Sequence, residues 1–276
     1  MRIDFHVHLT PPEIRDNPER YAEREPHFAA LCRSPANKFA GGEEVVAMLD
    51  RSGFDRAVVF GFAFRDPGLC RLANDYVVEQ MSAFPDRLIG FAAVSPAEPG
   101  LEAEIDRCRA SGLRGIGELY PTGQGFDLDS RPAADLAGLC VERNLPLMIH
   151  VNEPVGHDYP GKTDTGLAEV QRFVMANPEA KIVLAHLGGG LPFFESMPEL
   201  RRAFRNVRYD TAAVPFLYDP SVYRALPALG LADKILFGSD FPLLSPSRYM
   251  PALNSVLGLD LDRILGENAR SLLGIG

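Results

Sequence analysis

The chain has 276 residues, of which 46% are hydrophobic, and its formal net charge is -9 at pH 7. This length and apolar content are enough for a full hydrophobic core and fit one barrel-sized domain over residues 1–276 better than two small domains. The acidic balance argues against a general affinity for nucleic acid or for anionic membranes, because either partner would repel the average surface.

Targeting signals and cysteine spacing give no sign of export. Candidate metal ligands appear within the first eight residues, which leaves no room for a cleaved leader, and no apolar run approaches the roughly eighteen residues that cross a bilayer. The four cysteines, Cys32, Cys70, Cys108 and Cys140, show no paired metal-ligand spacing. We therefore expect reduced, buried thiols and a cytoplasmic protein without a membrane partner.

Apolar, β-rich runs alternate with segments of helical period along the chain. The predicted strands are residues 3–8, 56–62, 87–94, 114–119, 146–151, 181–186, 206–211 and 234–239. The predicted helices are residues 43–52, 69–84, 101–111, 131–143, 166–176, 194–204, 220–229 and 247–257, followed by an additional C-terminal helix over residues 262–273.

Eight strands, each followed by a helix, are the number that closes a parallel barrel. The main alternative is a doubly wound open sheet, but the glycine-rich phosphate turn that would follow its first strand is missing. The predicted fold class is therefore α/β: a (β/α)8 TIM barrel in a single domain, with a long loop after the first strand and an extra C-terminal helix.

The connection over residues 10–42 is much longer than the few residues usual in such units. Loops of this length inside a compact domain are more often functional than idle. Because this loop follows the first strand, it lies at the barrel mouth, and we predict that it forms a lid or a pocket wall. An oligomer contact or a plain surface excursion is the alternative.

The strongest motif is His6-Val7-His8 in the first strand. Alternate side chains of a strand share a face, so both imidazoles can reach one cation while Val7 packs outward. A lone histidine in a strand is more often a core or surface residue than a ligand. Two histidines in register at a strand end favour chelation.

Four more reactive side chains end later strands: Glu118 the fourth, His150 the fifth, His186 the sixth and Asp240 the eighth. Strand ends of a parallel barrel converge on one mouth, so these side chains can meet around one metal ion. A metal also explains Asp240, since a buried carboxylate without a partner is costly. Considered alone, His150 or His186 would instead be interpreted as a buried core residue that is hydrogen-bonded to a neighbouring carbonyl. Glu118 is a direct ligand, a bridge between two metals or a salt-bridge partner.

The predicted metal ligands are His6, His8, Glu118, His150, His186 and Asp240. Imidazoles and carboxylates suit a divalent metal, zinc above all and one ion or two, although iron, nickel, cobalt and manganese accept the same ligands. Such an ion lowers the pKa of bound water from about 16 to about 7, so that hydroxide can attack an electrophilic carbon. His186 then polarises the carbonyl or orients the water, and Asp240 moves the proton.

Candidate substrate contacts come from the loops after the strands: Arg65, Tyr120, Asn152, Tyr159 and Lys162. A cation at the mouth of an acidic protein suits a substrate that carries a carboxylate. Each of these residues taken alone is more often structural or solvent-facing than substrate-binding.

The HxH of the first strand, the histidines of the fifth and sixth strands and the aspartate of GSDFP resemble the amidohydrolase superfamily. The resemblance spans nearly the whole chain and is closest to the amidohydrolase-related branch, which contains aminocarboxymuconate-semialdehyde decarboxylase and several carboxylic-acid lactonases and hydratases. It implies one divalent metal, usually zinc, with a histidine beside it as catalytic acid or base. The implied ligands are His6, His8, His150 and Asp240, and the implied acid or base is His186.

Two features of the resemblance leave the details open. In two-metal members of the superfamily the fourth strand supplies a carboxylated lysine or a glutamate, and Glu118 stands at this position. The chain is also shorter than the decarboxylase pattern and has no obvious extra insertion, which argues against that particular activity.

Three functions are compatible with these residues. The first is a metal-dependent hydrolase that acts on a small carboxylate, lactone, ester or amide. The alternative is a lyase, in which the same metal supports decarboxylation or hydration of a small organic acid, and product analysis separates the two. The third is a barrel that binds a metal or ligand without turnover, which the intact ligand set disfavours. A homo-oligomer is left open, since homodimers are common among such barrels but no sequence feature requires one.

Overall fold

A computed structural model describes residues 1–163, 165–254 and 259–276 of the protein. Within these ranges eight strands, β1 to β8 in chain order, are Ile3–His8, Arg56–Phe60, Leu88–Gly90, Ile116–Leu119, Leu147–Ile149, Ile182–Leu184, Val207–Asp210 and Ile235–Leu236. Every pairing between neighbouring strands is parallel. All eight lie inside their predicted ranges, but most are shorter, because the hydrogen bonds between neighbouring strands end before the apolar run of residues ends.

The α-helices of the described ranges, α1 to α16 in chain order, are Pro12–Asp16, Pro18–Ala22, Pro26–Cys32, Gly42–Ser52, Pro67–Ala83, Leu101–Ala110, Pro121–Gln124, Arg131–Glu142, Leu167–Ala176, Leu191–Phe194, Pro198–Ala203, Val214–Leu217, Val222–Ala228, Met250–Leu253, Leu259–Asp262 and Asn268–Leu273. No helix in these parts of the chain is long and apolar enough to span a bilayer.

The parallel strands close into a barrel. Hydrogen bonds join β1, β2 and β3 in one sheet and β4 to β8 in a second sheet. Single backbone bridges connect the two sheets at both junctions, from Ala92 to Ile116 and from Val7 to Phe241. At the second junction the amide of His8 also donates to the carbonyl of Phe241 at 2.8 Å. The predicted (β/α)8 TIM barrel is confirmed.

Two helical predictions differ from the structure in detail. Of the predicted helix over residues 194–204, α11 covers Pro198–Ala203, whereas α10 ends at Phe194, the first residue of the predicted range. Proline has no amide hydrogen to continue the preceding helix, so it starts a new one. The predicted helix over residues 247–257 contains α14, and its last part, residues 255–257, lies outside the described residues.

The predicted C-terminal helix covers the barrel at the end where β1 begins. Over the predicted range the chain forms a π-helical turn at Arg263–Glu267 followed by α16. Ala269 of α16 belongs to the apolar cluster inside the barrel, together with Ile3 and Phe5, and Leu272 packs against it. This helix therefore seals the barrel interior and leaves the opposite end of the strands as the open mouth.

All four cysteines are free thiols, as expected. Cys70, Cys108 and Cys140 are buried, whereas Cys32 is partly exposed. Burial raises the pKa of each of the three buried thiols to about 12. These three thiols therefore stay protonated and unreactive near neutral pH, since the thiolate is the reactive species.

We expect a thiol reagent at pH 8 to label one thiol per native chain rapidly, that of Cys32, and to reach the other three only after denaturation. The Cys32→Ser variant is the matched control and should lose the rapid phase alone. Rapid labelling of native Cys32→Ser protein would contradict the burial of the remaining thiols.

Candidate active site

A register shift in β1 turns both histidines of the first motif toward the barrel mouth. Ile3 and Phe5 belong to the cluster inside the barrel, so strict alternation would send Val7 inward as well. The pairing of β1 with β2 instead shifts in the middle of the strand, and Val7 packs in the outer core. His6 and His8 therefore approach each other at the mouth, with their Nε2 atoms 3.2 Å apart.

Glu118 of β4 lies at the centre of the cluster and is fully buried. Its Oε2 atom is 3.4 Å from His6 Nε2 and 3.8 Å from His8 Nε2. The hydroxyl of Tyr120 donates to the same oxygen at 2.7 Å. One oxygen of this carboxylate thus faces the histidines of the first strand.

His150 and His186 approach the other oxygen of the Glu118 carboxylate. His150 Nδ1 lies 2.9 Å and His186 Nε2 lies 3.2 Å from Oε1. The two imidazole nitrogens are 3.0 Å apart, and both side chains are buried. The ends of the fifth and sixth strands therefore meet the end of the fourth, as the strand-end pattern predicts.

Asp240 joins the cluster beside the first motif. Its Oδ1 atom is 3.3 Å from His8 Nε2 and 3.7 Å from His6 Nε2. The amide of Asp240 donates to the carbonyl of His6 at 2.9 Å, and the carboxylate of Asp4 accepts the amide of Ser239 at 2.8 Å. These bonds fix the segment after β8 against β1, so the position of Asp240 depends on closure of the barrel.

Two glycines are needed where strands carry these residues into the cluster. Gly117, before Glu118, has a φ of 124°, and a Cβ there would collide with the carbonyl oxygen of Met148. A Cβ on Gly238 would come within 2.7 Å of His6 Cβ. Any larger residue at either position would push the strand end away from the cluster.

Hydrogen bonds away from the cluster fix the tautomers of two histidines. His6 Nδ1 donates to the Asp210 carboxylate at 2.8 Å, and His186 Nδ1 donates to the carbonyl of Ala212 at 3.0 Å. Both partners only accept, so each Nδ1 carries a proton. The Nε2 atoms therefore face Glu118 with lone pairs that are open to a metal ion or a second proton.

Asp210 is a site residue that the sequence reasoning missed. It is fully buried at the end of β7. Besides the imidazole of His6, it accepts the backbone amides of His186 at 2.9 Å and Ala212 at 3.0 Å. The sequence does contain a signal for it, because Asp210 lies at the end of the seventh predicted strand, just as the predicted metal ligands lie at the ends of other strands.

The cluster favours the charged forms of both its carboxylates and its histidines. Burial opposes ionisation of Glu118, but the charges of His6 and His150 and hydrogen bonds from His150 and His186 outweigh it, so the pKa of Glu118 lies well below its usual value. Burial also opposes charge on His6 and His186. The nearby carboxylates nevertheless raise the pKa of His6 well above its usual value and that of His186 to about 9. In the same way, the histidines hold the pKa of Asp240 at about 2 despite its burial.

Donor atoms close enough to hold a metal ion form three overlapping sets: His6, His8 and Glu118; Glu118, His150 and His186; and His6, His186 and Asp240. Two groups are built on the two oxygens of Glu118. The first, the four-donor group, adds Asp240 Oδ1 to His6 Nε2, His8 Nε2 and Glu118 Oε2, because this oxygen lies 3.3 Å from His8 Nε2 and 3.7 Å from His6 Nε2. The second, the three-donor group, consists of Glu118 Oε1, His150 Nδ1 and His186 Nε2. The contacts described above range from 3.2 to 3.8 Å in the first and from 2.9 to 3.2 Å in the second. Atoms bound tetrahedrally at about 2.1 Å from one ion lie about 3.4 Å apart, so both groups have the spacing of a metal site.

A cavity of about 370 Å³ opens onto the cluster and is lined by His8, His150, His186 and Asp240 at that end. Much of its remaining wall is apolar and includes Phe28, Phe39, Phe62, Tyr120, Phe216 and Leu243. The long loop after β1 supplies Phe28 and residues 36–39, so part of this loop forms a pocket wall, as predicted. Such a cavity suits a flat apolar ligand with one polar end at the cluster.

Three of the predicted substrate contacts line the cavity: Tyr120, Asn152 and Tyr159. The other two, Arg65 and Lys162, are not among the described residues of its wall. The guanidinium of Arg65 donates to the carbonyl of Gly123 at 2.9 Å, and Lys162 Nζ donates to the carbonyl of His157 at 3.2 Å. Both cations therefore serve loop carbonyls, which a sequence pattern does not reveal.

Residues 3–275 match the Amidohydrolase family, so the chain belongs to this family and the resemblance seen in its sequence is confirmed. A gamma-resorcylate decarboxylase of Polaromonas sp. (strain JS666 / ATCC BAA-500) is 26% identical over 220 residues. The match covers 62% of this chain and 65% of that protein, slightly less than two thirds of the relative's length.

Solved structures share the whole fold. The 5-carboxyvanillate decarboxylase LigW from Sphingomonas paucimobilis has a TM-score of 0.78 at 18% identity, over 100% of this chain and 99% of that one. The 5-carboxyvanillate decarboxylase from Novosphingobium aromaticivorans DSM 12444, complexed with manganese and 4-hydroxy-3-methoxy-5-nitrobenzoic acid, has a TM-score of 0.77 at 19% identity, over 100% and 96% of the two chains. At these identities the likeness establishes the fold.

The prediction of a hydrolase is wrong. The sequence relative and both structural neighbours are named decarboxylases, which favours the lyase alternative. The error has a physical cause, because one metal-holding set of strand ends serves several reactions on the same barrel. The chain is an enzyme of the amidohydrolase superfamily.

The Asp210→Ala variant is expected to lower the free energy of unfolding by about 3 kcal/mol or more. It leaves one imidazole and two backbone N–H groups buried without an acceptor, at about 1–3 kcal/mol each. Urea unfolding at pH 7 measures the loss. Asp129→Ala is the control and should change stability little, since Asp129 forms only an exposed ion pair with Arg172. Equal losses in the two variants would rule out this role of Asp210.

Proposed function

We propose that this protein is a metal-dependent, non-oxidative decarboxylase of a small aromatic acid. The observation that carries the proposal is the convergence of four imidazoles and two carboxylates at one end of a cavity with an aromatic wall. The activities named for the relatives, on gamma-resorcylate and 5-carboxyvanillate, support decarboxylation over other reactions of the superfamily.

We infer that the four-donor group holds one divalent cation and that the three-donor group, with fewer ligands, holds a second cation more weakly. The fit rests on donor chemistry: the Nε2 lone pairs of His6 and His186 face carboxylate oxygens, and a cation between them turns repulsion into attraction. Imidazoles and carboxylates accept both zinc and manganese. Manganese, bound in the Novosphingobium neighbour, is the first ion to test, and zinc is the second.

When bound, the cation supplies positive charge that holds the substrate carboxylate and lowers the cost of negative charge on the ring. The chain supplies the ring pocket. Phe62 and Tyr120 line the cavity and stack on each other with ring centroids 5.0 Å apart, which presents a rigid aromatic wall to the substrate.

The chain also supplies the proton. In the reaction the bond between the ring and the carboxyl carbon breaks, its electron pair stays on the ring carbon, carbon dioxide leaves and one proton bonds to that carbon. With the four-donor group alone occupied, His186 holds this proton at Nε2, because it lines the cavity and its Nδ1 proton is committed to Ala212. Asp240 lines the same end of the cavity and stabilises the charged imidazoles.

Turnover in D2O with Mn2+ tests the reaction. With 2,6-dihydroxybenzoate or 5-carboxyvanillate as substrate, we expect release of carbon dioxide and a product with one deuterium at the vacated ring position, measured by mass spectrometry. His186→Asn and Asp240→Asn should each lower kcat at least about hundredfold, the usual contribution of a positioned acid or base. Asp129→Asn, a surface variant, should match the wild type. Products that contain solvent oxygen, without release of carbon dioxide, would contradict the proposal.

Lys38 is our candidate for a second substrate contact. It comes from the pocket-wall loop and is the one lysine or arginine among the described residues that line the cavity. Within the described parts of the chain its ammonium makes no hydrogen bond or ion pair. Because the protein as a whole is acidic, a local cation is the group that would attract a second anionic substituent on the substrate.

The Lys38→Met variant should raise KM for a substrate with two carboxylates by about tenfold to hundredfold and leave kcat nearly unchanged. The expected change follows from losing a charged hydrogen bond of about 1.5–3 kcal/mol. Lys38→Arg, which keeps the charge, should lie close to the wild type. A Lys38→Met enzyme with unchanged KM for dicarboxylates would show that Lys38 does not contact the substrate.

A further inference from the structure

Asn152 makes four hydrogen bonds just after β5 and is itself buried. Its Oδ1 atom lies 3.0 Å from His150 Nε2, 2.6 Å from the backbone amide of Thr163 and 2.9 Å from the Thr163 hydroxyl. Its Nδ2 group donates to the hydroxyl of Tyr159 at 2.7 Å. The side-chain amide therefore bonds at both ends: its oxygen faces His150 in the cluster of candidate metal ligands, and its nitrogen faces Tyr159 in the cavity wall.

The bond from Thr163 fixes which way round the amide of Asn152 lies. A backbone N–H can only donate, so the Asn152 atom that receives it is an oxygen and the side chain cannot be flipped. That oxygen only accepts, so the proton between it and His150 belongs to the histidine. His150 is therefore protonated at Nε2, which leaves Nδ1, 2.9 Å from Glu118 Oε1 and 3.0 Å from His186 Nε2, as the atom that a metal ion can bind.

We propose that Asn152 is a positioning residue that gives His150 the tautomer needed to bind a metal ion. The inference rests on the proposed function in one respect, since it takes the cluster to be the metal site. Asn152 lines the cavity and was predicted to contact substrate. Its amide bonds to protein partners at both ends, and in this proposal it acts through His150.

The same amide connects the cluster of candidate metal ligands to the cavity wall. Tyr159 lines the cavity, and its hydroxyl receives the Asn152 N–H and donates to Glu153 Oε2 at 3.3 Å. Thr163 anchors the far end of the same loop to Asn152 Oδ1. Loss of the Asn152 amide therefore removes the acceptor that holds the His150 proton on Nε2. It also removes the hydrogen bonds that attach Tyr159 and Thr163 of this wall.

Variants at residues 152 and 163 separate these roles. Asn152→Leu keeps a similar volume but cannot accept a proton, so His150 is free to carry its proton on Nδ1. Asn152→Asp restores an acceptor for both His150 and the Thr163 amide. Thr163→Val is the matched control, because it removes the hydroxyl bond but keeps the backbone N–H that orients Asn152.

Two measurements decide the proposal. Long-range 1H–15N NMR of the imidazoles should show a proton on His150 Nε2 in the wild type, and this Nε2 proton should be lost in Asn152→Leu. Titration with Mn2+ alone, followed by electron paramagnetic resonance, should show a stepwise dissociation constant about tenfold to hundredfold weaker in Asn152→Leu, the usual effect of losing a hydrogen-bond partner of a ligand. Asn152→Asp should bind Mn2+ at least as tightly as the wild type, and Thr163→Val should bind within twofold of it.

A wild-type His150 without a proton on Nε2 would overturn the inference, and so would Mn2+ affinities in Asn152→Leu within twofold of those of Thr163→Val. If Asn152→Leu does not fold, the wild-type NMR spectrum and the Asn152→Asp titration still decide. Failure of the proposed function gives a different result. In that case the wild type binds no Mn2+ or releases no carbon dioxide, whereas the NMR assignment of His150 can still succeed.

Discussion

The burial of the Glu118 carboxylate is the constraint on which the rest of the site depends. A buried carboxylate needs positive charge nearby, and hydrogen bonds or a metal must satisfy its oxygens. Here its surroundings are imidazoles, and those of His6 and His186 are protonated on their far side. Their lone pairs meet the carboxylate, so the cluster is complete only when protons or a cation lie between them. This need for a cation is the reason that we propose a divalent metal at the site.

The barrel delivers these groups because small irregularities interrupt its regular geometry. A shift in the register of β1 reverses the alternation, which carries His6 and His8 inward after two apolar residues that already face inward. Glycines at 117 and 238 let neighbouring strands approach closely enough for Glu118 and Asp240 to reach the same centre. Asp210 then holds His6 from behind. The proposed metal site is thus a property of strand ends and of the contacts that surround them.

Much of the fold and the convergence of the central side chains could be predicted from the sequence, because both depend on local periodicity. Eight apolar runs give the strands, and reactive residues at their ends give His6, His8, Glu118, His150, His186 and Asp240. Contacts between distant side chains were out of reach: nothing local shows that Arg65 and Lys162 serve loop carbonyls, or that Asp210 holds His6. The reaction was also out of reach, because decarboxylation and hydrolysis use the same metal-holding groups and differ in the bond that the cavity presents to them.

The proposed metal site can be tested with crystals of the protein grown with Mn2+ and measured at the manganese absorption edge. We predict an anomalous peak within about 2.3 Å of His6 Nε2, His8 Nε2, Glu118 and Asp240, with a weaker second peak between Glu118, His150 and His186. An anomalous map without a peak among these side chains, in crystals of folded protein at saturating Mn2+, would contradict it.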